Sequence, residues 1–559
     1  MENDYKIFKF LLTEFSKDNF WSILSLMGVS LGINLINTYG ISNMVAKLYD
    51  ATEKGTTTAI WTTFYWLAFF YIIYQVLYYV FYDIEKNIVY TMKMWLRYKL
   101  MDLVMMVNNN IYSDVNFANL TSPIHRIADL IGYIVSNVSG YLLPNVMLLV
   151  IVSFYFFTIN PILSAVFFAS NLVIIFIFKS IFGKLIDENM NYENKNIDTD
   201  SAMVDMLNNM DKIVYRGKTR DESKRMYHLA TQSSDYAIQY YDLTNKYSSA
   251  VSMFILAVFL GCVVYLLHLL MRKKISQIQF VTSFTILTLY REKLAVVTED
   301  IPEFAGYVGR MNVTFSYFDH ISKNLDAILE KQQKQKSDAN IKLQFQNIRF
   351  ENIAYKYSTG KYVFTEKSLN FDVKNQTIVG ITGPSGSGKS TLMKLLIGMY
   401  PPEKGEIYID GVNINDIDPD YVRKYVTYVN QNSKLFDTKV IQNMMYGCMD
   451  PEKCNIYLQK IMKYPRISKL YNNMDINTKD AGLLGENLSG GQRQIVNMIS
   501  GFINPSEILI LDEPTNALDP ALKKEVIQMI HDFKKYKKCI FIVSHDKDVF
   551  EIFDDEIKM

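Results

Sequence analysis

The first three hundred residues carry apolar stretches that each exceed the ~20 residues a helix needs to cross a bilayer core, and this restricts the fold more than any other feature of the chain. Residues 20–48 are mostly apolar with scattered Asn34, Asn37 and Thr38, and residues 59–82 are apolar and heavily aromatic. Residues 130–182 are too long for one span and are broken by Thr158-Ile159-Asn160-Pro161, which reads as two helices joined by a tight turn. Residues 250–271 and 278–297 supply a fifth and a sixth span. The mean hydropathy of +0.03 hides this segregation, because the second half reads as a soluble α/β domain.

Between spans two and three, and again between four and five, lie charged stretches, residues 83–127 and 183–246. Amphipathic periodicity persists in 92–106 and 201–210, so these read as helices continuing out of the bilayer. An even number of spans puts both ends on one side. Arg272-Lys273-Lys274 then fall outside, against the positive-inside bias, while Lys184, Lys195, Lys212, Arg216, Lys218, Arg220, Lys224 and Arg225 crowd the second inner loop. Arg291, Glu292 and Lys293 interrupt the sixth run; they either line a polar path or snorkel at the inner interface. The aromatic residues of span two read as lipid-facing or packing groups.

Residues 1–18 mix acids, lysines and aromatics without a small-residue cleavage site, and read as a cytosolic, surface-lying amphipathic segment. The transmembrane domain covers 19–325 and a polar linker 326–342. With 58 Lys+Arg against 57 Asp+Glu, nothing marks a nucleic-acid partner. Cys262, Cys448, Cys454 and Cys539 lack metal-ligand spacing and read as free thiols in a reducing cytosol.

From residue 341, at the end of the linker, the pattern changes to short β-like runs (341–345, 350–357, 368–373 and 377–381), and the nucleotide domain at 343–559 continues with Gly383-Pro384-Ser385-Gly386-Ser387-Gly388-Lys389-Ser390-Thr391. Glycines let successive amides turn toward phosphate oxygens, Lys389 reaches the terminal phosphates, and the Ser390 hydroxyl suits magnesium. Downstream come Leu488-Ser489-Gly490-Gly491-Gln492, the apolar strand 508–511 ending in Asp512-Glu513, and Ser544-His545-Asp546. Asp512 at a buried strand end can hold a magnesium-bound water, and Glu513 can accept a proton from the attacking water. Four elements in this order are far more selective than any one.

Through these residues the chain resembles the ATP-binding cassette (ABC) family over about 343–559. The pattern of short outer turns and two long inner loops resembles the six-helix transmembrane domain of the family's exporters. The resemblance implies a membrane all-α six-helix domain fused to an α/β P-loop NTPase, an ATP hydrolase using ATP and Mg2+. It implies a multi-pass protein with its nucleotide domain in the cytosol, and a half-transporter that pairs with a second half, a second copy of itself first and a different half as the alternative. It places Tyr357, with Tyr355 as the alternative, against adenine, Gln431 in the magnesium shell, Asp519 in the D-loop and His545 at the γ-phosphate. It sets Ser489, Gly490, Gly491 and Gln492 against ATP bound to the partner. Residues 114–120 and 211–219 are coupling candidates by the same likeness, or plain solvated loops. Leu483 departs from the pattern, since exporters commonly carry glutamate there; Asp480 or Glu486 could serve instead. Export or flipping of an unidentified substrate is the expected function, with an ATP-gated channel or regulator as the alternative.

Overall fold

The computed structural model describes residues 4–106, 121–318, 321, 343–357, 360–417, 419–431, 434–471 and 474–559. Among these, the residues before 325 and those after 342 form two compact units.

The N-terminal unit is all helical. Helix α1 (Asp4–Asp18) leads into α2 (Phe20–Leu35), which runs through a π-helical turn, Ile36–Ile41, into α3 (Ser42–Glu53). Then come α4 (Thr57–Met106), α5 (Thr121–Asn137), a second π turn at Val138–Leu142, and α6 (Leu143–Ile159). Helices α7 (Pro161–Asn208), α8 (Met210–Tyr215), α9 (Thr219–Met271) and α10 (Gln277–Phe315) complete the unit. The predicted turn at Asn160-Pro161 forms because the Asn160 side chain accepts from the amides of Ile162 and Leu163, and proline needs no amide partner in the first helical turn. The turn after α9 closes at Ser276, whose side chain forms a reciprocal capping box with Gln279.

Among the described residues, five helical segments are long and apolar enough to cross a membrane: Phe20–Glu53, Thr57–Met105, Ser122–Ile159, Pro161–Asn208 and Thr219–Met271. The sixth predicted span is helical, within α10, but Arg291, Glu292 and Lys293 keep it out of that apolar set. Many aromatic residues of α4, including Trp61, Tyr65, Phe69 and Tyr79, are exposed on the unit's surface, as lipid-facing groups would be, while Phe81 is buried. The coupling candidate 211–219 contains the short helix α8, and 114–120 lies outside the described residues.

The C-terminal unit has two sheets. Strands β1 (Asn347–Lys356), β2 (Tyr362–Asp372), β4 (Lys404–Ile409) and β5 (Val412–Asn413) form an antiparallel sheet in the order β2-β1-β4-β5. Strands β3 (Thr377–Thr382), β6 (Val426–Val429), β7 (Ile508–Asp512), β8 (Cys539–Val543) and β9 (Asp555–Lys558) form a parallel sheet in the order β6-β7-β8-β3-β9. β7 and β8 are buried at every residue, as continuous apolar runs require when both faces of a parallel sheet are covered.

Two expectations change. Residues 343–345 are not a strand: Phe345 has a φ of +48°, and the amides of Gln344, Gln346 and Asn347 donate to the Asp410 carboxylate at 2.7, 2.6 and 3.0 Å, which takes the place of a strand partner. The cysteines are not all free. Cys448 and Cys454 are disulfide-bonded because the bend between the helices Val440–Met444 and Pro451–Ile461 brings their Cα atoms to 6.3 Å; Cys262 and Cys539 are free and buried. Sequence spacing alone carries no information about that bend.

Candidate nucleotide site

The site is assembled at the C-terminal ends of adjacent parallel strands, where open α/β sheets place ligands. β3 delivers the glycine loop, β7 delivers Asp512 and Glu513, and β8, which lies between them, delivers His545. The loop then enters the helix Lys389–Leu396. Gly386 and Gly388 have φ of +80° and +94°, which side chains rarely adopt. At Gly388 a Cβ would also lie 2.5 Å from Phe364 Cζ and 2.7 Å from Val363 Cγ1, so glycine there is required by space as well as by backbone.

Lys389 is buried, and its Nζ donates to the carbonyls of Gly383 and Pro384 at 3.0 and 2.9 Å. The ammonium is thus folded into the loop that it would share with phosphate. Ser387 Oγ is buried without a partner, an orphaned polar group in the same curl. Ser390 Oγ donates to Asp512 Oδ1 at 2.8 Å, and the Tyr428 hydroxyl donates to Asp512 Oδ2 at 2.5 Å. Burial and the adjoining Asp512 carboxylate hold the Tyr428 phenol far above its ordinary range, so it stays a proton donor.

A hydroxyl and a carboxylate on one spot are hard oxygen donors of the kind magnesium takes. No cluster of three or more His, Cys, Asp or Glu suited to a metal occurs among the described residues. The pair therefore fits an ion that keeps phosphate and water as its other ligands rather than an all-protein cage.

Glu513 sits directly after β7 with φ +51°, its amide donating to Val543 O at 2.9 Å. Its Oε1 meets His545 Nδ1 at 2.8 Å, while Oε2 is buried with no partner. A strained backbone and a half-satisfied carboxylate at one residue are costs that functional sites retain. Gln494, from the helix Gly490–Ile503, donates to the Glu513 carbonyl at 3.1 Å and accepts from the Ala517 amide at 3.2 Å.

Tyr357 hydrogen-bonds Thr391 Oγ1 at 2.8 Å and is half-buried, whereas Tyr355 is 5% exposed; both rings pack against Tyr400. Of these two predicted adenine platforms Tyr357 is the more exposed. Gln431 is exposed just beyond β6. Asp519 caps the helix Pro520–Phe533 through the amides of Leu522 and Ala521, which lower its carboxyl below the usual range. Ser489 caps the helix Gly490–Ile503 in a reciprocal box with Gln492 (3.2 and 2.8 Å), leaving that helix end solvent-facing. Among the described contacts, none joins residues 489–492 to the glycine loop. Leu483 is 63% exposed.

Sequence reading missed Tyr428 and Gln494. Tyr428 lies in β6, where alternation marks faces but not the hydrogen bond a hydroxyl makes to the neighbouring strand's end. Gln494 lies two residues past the pentapeptide, and its value comes only from the turn at Glu513.

The family model described as ABC transporter matches residues 367–516. The energy-coupling factor transporter ATP-binding protein EcfA2 of Caldanaerobacter subterraneus subsp. tengcongensis is 35% identical over 222 residues, 38% of this chain and 75% of that protein. The chain belongs to the ABC transporter family. The alpha-hemolysin translocation ATP-binding protein HlyB of Escherichia coli is 35% identical over 205 residues, and the multidrug resistance protein pgp-1 of Caenorhabditis elegans 29% over 261 residues. These alignments take 36% and 46% of this ABC transporter and span only 28% and 19% of the two longer relatives. A solved bacterial Atm1-family ABC exporter with ATP bound shares the fold over 97% of this chain and 93% of its own, with a TM-score of 0.76 at 18% identity. As an ABC transporter with five apolar spanning helices, the protein is a multi-pass membrane protein with an ATP-binding domain in the cytosol.

Proposed function

We propose that the chain is an exporter half-transporter that pairs with a second copy of itself and uses ATP hydrolysis to export or flip a substrate. The observation that carries this reading is the intact Glu513–His545 pair, 2.8 Å apart, on a chain that also has a helical membrane unit. A gate needs nucleotide binding alone, whereas a general base aligned by a histidine serves turnover.

In this reading Lys389 exchanges the carbonyls of Gly383 and Pro384 for phosphate oxygens, and free amides of the Gly383–Thr391 loop would donate beside it. Ser390 and Asp512 would hold magnesium, with Gln431 completing the shell; the ion would neutralise charge on the phosphates. Tyr428 keeps Asp512 oriented. Glu513 takes a proton from the attacking water at Oε2, the oxygen without a partner, while His545 holds Oε1. Tyr357 covers the adenine. The capped end of the helix Gly490–Ile503, with Ser489, Gly490, Gly491 and Gln492, meets the partner's bound ATP, because free N–H groups and the positive helix end favour anions. Asp519 and its loop line the same junction.

Reconstituted in lipid vesicles, the purified wild type is expected to hydrolyse ATP. Glu513→Gln should bind fluorescent ATP analogue yet lose at least about a hundredfold in turnover. A strictly monomeric protein with full turnover would refute the paired site. ATP-dependent ion current without vectorial transport would replace pumping with gating.

A further inference from the structure

The membrane unit holds a partly open cavity of about 160 Å³ whose walls are polar and apolar in about equal measure. That volume suits a benzene-sized group or a small polar headgroup, not a whole drug-sized ligand. Its walls come from α2, α4, α5, α6, α10 and both π turns, Ile36–Ile41 and Val138–Leu142. Single π turns inside helices occur frequently at functional sites.

Glu85 is the buried charge of the cavity, at 7% exposure. It lies just beyond Tyr82 on α4, where the apolar run of the second span ends. Its Oε1 accepts from Ser136 Oγ at 2.8 Å and from Ser139 Oγ at 3.3 Å. Oε2 has no partner among the described residues, and no cation there pairs with this carboxylate. Serine hydroxyls satisfy an oxygen without neutralising its charge. A carboxylate buried in the membrane unit is costly until a cation meets it.

The rings beside it are suited to that cation. Tyr78 and Tyr82 both line the cavity, with centroids 4.8 Å apart and hydroxyls 3.0 Å apart. Tyrosine faces attract ammonium groups, more strongly once water is removed. Across the same cavity stands Lys293 of α10, which forms no ion pair among the described residues. Lys293 is exposed, and of the three charges interrupting the sixth run it is the one that lines the cavity with Glu85.

We propose that this cavity binds the ammonium end of a headgroup-sized zwitterionic ligand, with Glu85 as its counter-ion and Lys293 opposite the ligand's acidic group. The proposal rests on the exporter reading only in taking that ligand as cargo; the binding itself does not depend on it. A phosphoethanolamine lipid head and the amino end of a short peptide share this chemistry.

The test uses the full chain in nanodiscs of phosphatidylglycerol, without nucleotide, and measures equilibrium binding of two labelled probes: a short-chain phosphatidylethanolamine and a dipeptide. Each is compared with its N-acetylated counterpart, which has lost the charge. At least one free amine should bind about tenfold or more tightly than its acetylated form, as expected for a charge-assisted pair, and Glu85→Gln should erase that difference. Lys293→Gln should weaken both forms while keeping the difference between them. Discrimination by the lipid probe alone assigns the site to headgroups, and by the dipeptide alone to peptides. Equal binding of amine and acetylated forms by the wild type overturns the proposal even where Glu85→Gln does not fold, as does discrimination that survives in Glu85→Gln. Failure of ATP-driven accumulation in vesicles alongside retained amine discrimination would sink the exporter reading and leave the site standing.

Discussion

Replacing Gly388 by alanine tests whether the phosphate loop is held by space as well as by backbone. The αL backbone at +94° costs a residue with a side chain about 1–2 kcal/mol. The new methyl would also sit 2.5 Å from Phe364 Cζ and 2.7 Å from Val363 Cγ1, and overpacking of that kind costs about 1–3 kcal/mol more. Gly386 is the control, since at +80° it carries the backbone cost but has nothing within 4 Å of its Cβ. The expected losses without nucleotide are therefore about 2–5 kcal/mol for Gly388→Ala and about 1–2 kcal/mol for Gly386→Ala. The chain's tryptophans all precede residue 100, so their fluorescence does not report on this unit. Hydrogen exchange of the amides in the helix Lys389–Leu396 does, with each 1.4 kcal/mol appearing as about tenfold faster opening. Adding Val363→Ala to Gly388→Ala should recover part of the overpacking cost. Equal acceleration in Gly386→Ala and Gly388→Ala, with no recovery in the double variant, would show that the contact with Val363 and Phe364 does not hold the loop.

Other consequences follow from packing and burial. At Gly309 on α10 a Cβ would lie 2.6 Å from Asn189 Oδ1 on α7, a buried acceptor without a partner. Gly309→Ala should destabilise the membrane unit by about 1–3 kcal/mol and Asn189→Ala should offset most of it, so additive melting shifts in a double-mutant cycle would contradict the close approach. Lys537 is 4% exposed, donates to Asn504 O and Ser506 O, and burial lowers its pKa from 10.5 to about 8. Between those values the native state binds fewer protons than the unfolded chain, so this lysine makes stability rise with pH from about 8 to 10.5, by roughly 3 kcal/mol in all. Calorimetry of wild type against Lys537→Met at pH 7.5 and 9.5 should show the gap between them moving in the wild type's favour at the higher pH; a constant gap would mean the ammonium is not desolvated.

What was legible in the sequence divides by the range of the interaction. The glycine loop, Asp512-Glu513 and Ser544-His545-Asp546 could be placed because each is a contiguous string at the end of an apolar run, and a parallel sheet brings the ends of its strands together. The turn at Asn160-Pro161 was readable for the same reason, since cap and proline act on adjacent amides. Residues 343–345 were misread as strand because the group that takes their amides, Asp410, lies more than sixty residues further on. The Cys448–Cys454 pairing and the roles of Tyr428 and Gln494 were invisible on the same ground: each depends on where a distant or bent segment lands, not on a local pattern.

The charges at 291–293 show what that limit means for function. From sequence they could be snorkelling groups or the lining of a path, and composition could not separate the two. The helix separates them by face. All three side chains are exposed; Arg291 lies over the Phe259 ring, 5.5 Å from its centroid, and Lys293 is the one that lines the cavity with Glu85. Consecutive helical residues point about 100° apart, so three adjacent charges cannot share one task. A run that reads as a single interruption of hydrophobicity is thus three exposed side chains with different neighbours, and Lys293 is the one that shares a cavity with the buried carboxylate.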